Sequence, residues 1–182
     1  MDCSALLAMV PAPAAPVDAA GDWAGVEGSL CRLPDDYRQL VQRYGTGCFD
    51  HFLWVFTPFT ANGSLNLLAQ VGVIREVHRS LAEEYGEPQS YPFFPEPAGL
   101  LPFGVTDNGD YLYWLTRGVP NDWPVVVGAS RDPRYQALDG GACRVLSDLL
   151  SRRLRCDIFP RDFPSAHPQF TALNRSSQRS TF

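Results

Sequence analysis

Apolar residues recur every three or four positions in four stretches of the chain, a spacing that places them on one face of an α-helix. These stretches are residues 22–31, 34–45, 64–85 and 142–154. Asp22 suits a helix N-cap, Pro34 suits a first helical turn, and Gly45 suits a left-handed C-cap. The pattern therefore predicts four helices, each with an apolar stripe that docks on a core.

Runs of aromatic and β-branched residues predict the strands. Residues 48–58 are apolar apart from Asp50 and His51, and we expect them to form one strand, buried on both faces, at the centre of a sheet. Three further strands are predicted at 100–106, 110–116 and 123–128. Asn108 and Gly109 favour a two-residue type I′ turn between the first two of these, so an antiparallel meander is expected.

Three segments are predicted to flank or interrupt the folded part. Residues 1–21 include VPAPAAPVDAAG, whose prolines and small residues offer no periodic apolar face, so we expect a flexible leader. Prolines between 88 and 102 predict an extended connector that can also serve as a binding loop. Residues 157–182 are expected to dock in part and then to be mobile. Residues 22–156 are the predicted single domain.

Composition and charge limit the functions open to the chain. Hydrophobic residues make up 45% and charged residues 19% of 182 residues, which fits a folded domain, and no apolar run is long enough to cross a membrane. Residues 1–130 carry 6 Arg against 15 acidic residues, or −9, which argues against nucleic acid as a partner. Residues 131–182 carry 9 Arg against 5 Asp, or +4. Lysine is absent, so lysine-dependent mechanisms are excluded.

The cysteines indicate reduced thiols. The 5 cysteines are widely separated and form no Cys-x-x-Cys pair, so neither a disulfide framework nor a zinc site is predicted. The first residues, MDCSALLAMV, lack the basic start of a signal peptide. We therefore expect a cytoplasmic protein.

Candidate catalytic and metal-binding groups do not assemble into a site in the sequence. Cys48 and His51 are the nearest nucleophile and base, but residues three apart on a strand point to opposite faces. The histidines share no metal-ligand spacing; they are His51, His78 and His167. Residues 107–110 lack the alternating oxygen ligands of a calcium loop, and residues 45–47 are followed by a predicted strand, unlike a phosphate loop. We predict no catalytic residue, metal or cofactor; a small hydrolase using Cys48 or His51 is the remaining enzymatic alternative.

Acidic and tyrosine side chains accumulate on the predicted strands and loops of the sheet region. Such a surface attracts a basic partner protein and offers aromatic anchors to it. The predicted partner-binding residues are Asp50, Tyr91, Glu96, Asp107, Asp110, Tyr111 and Asp122, with Tyr113 in the same region. Specificity is expected from Asp50, Glu96, Asp107 and Asp122.

The order of these pieces resembles the SUKH superfamily, which includes the fungal cell-wall assembly regulator and many bacterial immunity proteins. The resemblance covers about residues 23–154 and rests on LPDDYRQLVQRYGTGCFD, on PFG followed by DNGDYLYWL, and on NDWPVVV. It implies one α+β domain with a mainly antiparallel sheet packed against helices. Residues expected to serve folding are Leu33, Pro34, Tyr37, Tyr44, Gly45, Gly109, Trp114 and Trp123.

The resemblance also implies a function by binding rather than catalysis. It implies a non-enzymatic, cytoplasmic immunity protein that neutralises a cognate polymorphic toxin, such as a nuclease, and the arginine-only cation usage fits a GC-rich bacterial genome. The alternative is a regulatory scaffold that recruits protein partners without a toxin, as the fungal relatives suggest.

Overall fold

A seven-stranded antiparallel sheet organises the protein in the computed structural model, which describes residues 2–85 and 90–174. The strands are β1 (Gly47–Phe49), β2 (Leu53–Val55), β3 (Leu100–Thr106), β4 (Tyr111–Leu115), β5 (Val125–Gly128), β6 (Tyr135–Leu138) and β7 (Phe170–Ala172). Their order across the sheet is β6-β5-β4-β3-β2-β1-β7. The first six strands therefore form a meander, and β7 is added outside β1.

Helices cover both faces of this sheet. They are α1 (Ser4–Met9), α2 (Trp23–Ser29), α3 (Asp35–Tyr44), α4 (Leu67–Tyr85) and α5 (Ala142–Leu150). The main core joins buried residues of α1, α2, α3 and α5 to one sheet face, whereas Ile74 of α4 packs on the second face. The fold is a single α+β domain, as predicted. None of the helices in the described residues has both the length and the apolar character needed to span a membrane.

Helix α3 shows how the motif residues build the main core. Asp35 and Asp36 occupy its first turn, where carboxylates favour the positive end of the helix dipole, and Gly45 ends it with a φ of 68°. Tyr37 is fully buried, donates a hydrogen bond to the Phe56 carbonyl at 2.6 Å, and packs edge-on against Trp114. These residues lie inside the protein rather than on a partner surface.

Residues 48–58 form the β1–β2 hairpin, so the prediction of one central strand was wrong. Asp50 and His51 have φ values of 52° and 53°, in the left-handed region, and they belong to the three residues that connect the paired positions Phe49 and Leu53. The Asp50 carboxylate accepts hydrogen bonds from the backbone N–H and hydroxyl of Ser165, at 2.6 and 2.5 Å. This contact with the C-terminal segment stabilises the turn, and local sequence does not reveal it.

The β3–β4 connection also differs from the expected turn. Only Gly109 has a positive φ, 86°, and its N–H donates to the Thr106 carbonyl at 2.9 Å. The Thr106 N–H in turn donates to the Asp110 carbonyl at 2.8 Å. The connection is therefore a three-residue loop that ends in a left-handed glycine, rather than a type I′ turn.

Strands β6 and β7 were not predicted from the sequence. β6 pairs with β5, and β7 pairs with β1 in a register that sets Thr171 opposite Cys48. The C-terminal extension is thus docked through residue 174; residues 175–182, which were expected to be mobile, lie outside the described residues.

Residues 2–21 are docked, in contrast to the flexible leader that their prolines predict. Cys3, Leu6 and Val10 are buried against the main core, and the Tyr44 hydroxyl donates to the Val10 carbonyl at 2.6 Å. Cys3 forms a disulfide with Cys143 of α5, so the expectation of reduced thiols throughout was wrong for this pair. The two cysteines are 140 residues apart in the chain and meet only because α1 packs on α5.

Candidate protein-binding surface

A row of mostly aromatic side chains crosses five strands on the second face of the sheet. Trp54 of β2 pairs with Val105 of β3, Val105 with Tyr111 of β4, Tyr111 with Gly128 of β5, and Gly128 with Tyr135 of β6. Residues directly opposite in antiparallel strands share a face, so these five form one continuous line, which we call the aromatic row.

Gly128 allows the rings of this row to approach one another. A Cβ atom at residue 128 would lie 2.9 Å from Cε1 of Tyr135 and 3.1 Å from Cε2 of Tyr113. The rings of Tyr111 and Tyr113 are also stacked, with centroids 5.9 Å apart. Tyrosine rings therefore fill the space that a side chain at residue 128 would occupy, and they join β4 to β6 across the surface.

Helix α4 and the connector, residues 90–99, cover the second face only in part. Phe93 stacks on His78 of α4 and packs edge-on against Tyr113, which is buried. Tyr91 packs against Tyr135, with centroids 5.3 Å apart. Trp54, Tyr111, Tyr135 and Tyr91 all remain partly exposed. Helix α4 and the connector thus bury the middle of the second face and leave the aromatic row partly exposed.

The exposed flank of α4 extends this apolar surface. Gln70, Val73 and Val77 follow one another at helical spacing, so they lie on the same side of the helix. The Tyr111 hydroxyl donates to the Gln70 side-chain oxygen at 3.5 Å, which places that side beside the aromatic row. Val73 and Val77 are 48% and 45% exposed. An exposed apolar flank beside partly exposed aromatic residues is typical of an interaction surface.

Carboxylates border the aromatic row at the end of the sheet that carries the β1–β2, β3–β4 and β5–β6 turns. Asp107 accepts a hydrogen bond from Trp54 Nε1 at 2.8 Å, and Asp50 lies in the neighbouring turn. Neither carboxylate forms an ion pair with a described residue, whereas Asp132 is paired with Arg134 at 2.8 Å. Asp107 therefore leaves unneutralised negative charge next to the row, and Asp50 adds negative charge at the same end of the sheet.

The remaining predicted acidic residues do not join this surface. The Asp110 side chain is buried; it accepts hydrogen bonds from the Ser130 N–H at 2.9 Å and the Thr106 hydroxyl at 3.1 Å, and so ties two turns together. Glu96, in the connector, and Asp122, in the 3₁₀ turn Pro120–Asp122, lie at the opposite end of the sheet. The structure thus divides the predicted set into two ends.

The Cys48 thiol shows no sign of activation as a nucleophile. Burial, together with the carboxylates of Asp107 and Asp50, which disfavour the thiolate, raises the pKa of the Cys48 thiol to about 12. His51 is exposed at the hairpin turn. Within residues 2–85 and 90–174, no group of three or more His, Cys, Asp or Glu side chains could hold a metal ion.

Sequence patterns identified part of this surface and missed the rest. Asp107, Tyr91 and Tyr111 were predicted and lie at one end of the second face, and Asp50, also predicted, lies in a turn at the same end of the sheet. Trp54, Gly128 and Tyr135 were missed. The alternation of Tyr111 and Tyr113 along β4 indicated which residues share a face, but only the pairing register places the residues of neighbouring strands beside them.

Comparison with known proteins identifies a family. The family described as SMI1-KNR4 cell-wall, SUKH_6, matches residues 22–139, which contain α2 to β6 and the whole aromatic row. Helices α1 and α5 and strand β7 are not covered by it. Neither the search of curated proteins nor the search of solved structures gave a significant match.

Proposed function

This chain belongs to the SMI1-KNR4 cell-wall family of the SUKH superfamily, and on that basis we propose that it is a non-enzymatic immunity protein that binds and neutralises a cognate toxin. SUKH proteins are commonly immunity or regulatory proteins and are generally non-catalytic. The observation that supports binding most directly is the aromatic row, which is partly exposed, is contacted by the carboxylate of Asp107, and has Asp50 in a turn at the same end of the sheet.

The surface has the features that tight binding to a basic protein requires. Trp and Tyr bury a large area while losing little side-chain freedom, and they are enriched among the residues that dominate binding energy. Nearby carboxylates speed the encounter with a positively charged partner. A toxin that acts on nucleic acid exposes such positive charge, because it must neutralise phosphates. The partner we propose is therefore a basic toxin domain, such as a nuclease.

Coexpression tests the toxin-neutralising role. The protein is produced together with the toxin encoded in the neighbouring gene, and growth and copurification are measured. We expect restored growth and a stable complex. A toxin that still kills the cells and does not copurify would contradict the proposal.

A pair of matched double variants tests where the toxin binds. Asp50→Asn with Asp107→Asn removes both charges while keeping an acceptor oxygen for Ser165 and Trp54. At low salt the association rate should fall about tenfold and depend less on ionic strength. Glu96→Gln with Asp122→Asn, at the opposite end of the sheet, is the control and should leave the rate unchanged. An effect of the control pair alone would place the binding surface at the other end.

A regulatory scaffold without a toxin is the second candidate function, favoured by the cell-wall description of the matched family. It would use the same aromatic row to recruit a basic protein. Gene neighbourhood separates the two functions, since an immunity protein requires a toxin gene beside its own.

A further inference from the structure

A cavity at the C-terminal end of α5 lies apart from the aromatic row, and we infer that it binds a small organic anion with an apolar body, of the aryl or alkyl phosphate class. Its volume is about 270 Å³. Three arginines line it, Arg152, Arg155 and Arg161, and its lining contains no carboxylate. The site lies in residues 149–164, outside the segment that the family match covers.

The backbone at Arg152 places an arginine in a conformation that disfavours side chains. Helix α5 ends at Leu150, and Arg152 has a φ of 61°, in the left-handed region. Glycine is the usual residue at such a helix end, because a side chain is disfavoured in this conformation. Strain of this kind concentrates at functional sites. The Arg152 guanidinium donates to the Pro164 carbonyl at 2.6 Å, which fixes the side chain along the cavity wall.

The positive charge around the cavity is poorly neutralised. Arg161 forms no ion pair with a described residue, and Arg155 approaches Asp157 only at 3.6 Å, with both side chains more than 60% exposed. Neighbouring arginines outside the cavity behave differently, since Arg153 contacts Asp148 at 2.9 Å. Exposed ion pairs are weak, so guanidinium groups remain available to a phosphate, which they bind in bidentate geometry.

The floor of the cavity is apolar, which favours an organic anion over a bare phosphate. Phe159 and Phe163 line it and pack on Phe52 of the β1–β2 hairpin, with ring centroids 5.5 and 4.7 Å apart. Leu149 and Cys156, both buried, complete this part of the lining. Charged groups at the rim and aromatic groups below match a ligand that has a phosphate head and an apolar body.

Titration of the full chain with three probes tests the site: phenyl phosphate, inorganic phosphate and phenol, followed by calorimetry. We expect phenyl phosphate to bind about tenfold more tightly than inorganic phosphate, and phenol not to bind. Equal affinity for the two phosphates would overturn the apolar part of the inference. Absence of phenyl phosphate binding would overturn the site itself.

Two variants and a control connect the binding to the cavity. Arg152→Gly and Arg161→Ala should each weaken phenyl phosphate binding about tenfold. In Arg152→Gly, glycine suits the left-handed backbone and offsets the lost hydrogen bond to the Pro164 carbonyl, so the melting temperature should stay close to the parent's and lost binding cannot be attributed to unfolding. Arg117→Ala, in the exposed β4–β5 loop, is the control and should bind as the parent does. An equal loss in the control, or full binding by Arg152→Gly, would overturn the inference.

Discussion

At the scale of single residues, the candidate binding surface depends on a position without a side chain. Gly128 is buried in β5 with an ordinary extended backbone, so its conformation does not require glycine. The space above it does, because the rings of Tyr135 and Tyr113 occupy the volume of a Cβ atom. Glycine at this position therefore serves the packing of the aromatic row.

The Gly128→Ala variant tests this packing. The added methyl must displace both rings, so we expect the free energy of unfolding to fall by about 1–3 kcal/mol, with weaker partner binding and an altered near-ultraviolet circular dichroism spectrum. Gly72→Ala is the control: its Cβ meets nothing within 4 Å, and in the interior of α4 it should stabilise the protein by about 0.5–1 kcal/mol. Unchanged stability and spectrum in Gly128→Ala would contradict the packing.

At the scale of elements, the N-terminal segment is attached to the core at several points. Leu6 is fully buried, the Thr46 N–H donates to the Val17 carbonyl at 2.8 Å, and the disulfide joins Cys3 to α5. Gly45 permits the close approach of Val17, because a Cβ there would lie 2.1 Å from the Val17 carbonyl oxygen. The segment is thus part of the folded unit.

Thiol titration tests the disulfide. In denaturant without reductant, three thiols should react, those of Cys31, Cys48 and Cys156; all 5 cysteines should react after reduction. Because the bond closes a long loop in the unfolded chain, reduction should lower the free energy of unfolding by about 2–4 kcal/mol. Cys143→Ser should lose the reductant dependence and Cys156→Ser should keep it. Five reactive thiols before reduction would contradict the pairing.

The elements that sequence predicts are those whose signals are local. Helix α3 has its apolar stripe and its capping glycine within one stretch of chain, and β3 to β5 have β-branched and aromatic runs. The β1–β2 turn depends on Ser165, more than a hundred residues away, and β7 exists only where β1 offers it an edge. For the same reason, acidic turns and tyrosines were predictable, whereas the line from Trp54 to Tyr135 required the strand register.

At the scale of the whole molecule, buried ionisable groups make the free energy of unfolding fall at alkaline pH. Burial raises the pKa of Tyr37, Tyr44 and Tyr113 well above 10.0, and those of the Cys31 and Cys48 thiols from 9.0 to about 11 and about 12. The folded state therefore holds these protons more tightly than the unfolded chain does. Their contribution to stability is complete below about pH 9 and is lost as the pH rises through the folded values.

Unfolding measured by denaturant from pH 8 to about pH 11 tests this dependence. The free energy of unfolding should stay level to about pH 9 and then fall, and the buried tyrosines should ionise only as the protein unfolds. Cys48→Ala removes one of the groups and should reduce the slope. Ionisation of all 7 tyrosines near pH 10 in a folded protein would contradict the burial.

Strand β7 limits how far the chain can be truncated at its C-terminus. It occupies the hydrogen-bonding edge of β1, and its Phe170 ring lies 4.8 Å from that of Phe49 and 5.0 Å from that of Tyr44. A chain truncated before residue 170 would leave β1, whose three residues are otherwise buried, as an open and apolar border. Such borders recruit strands from other molecules, so we expect the truncated chain to self-associate more readily than the full chain.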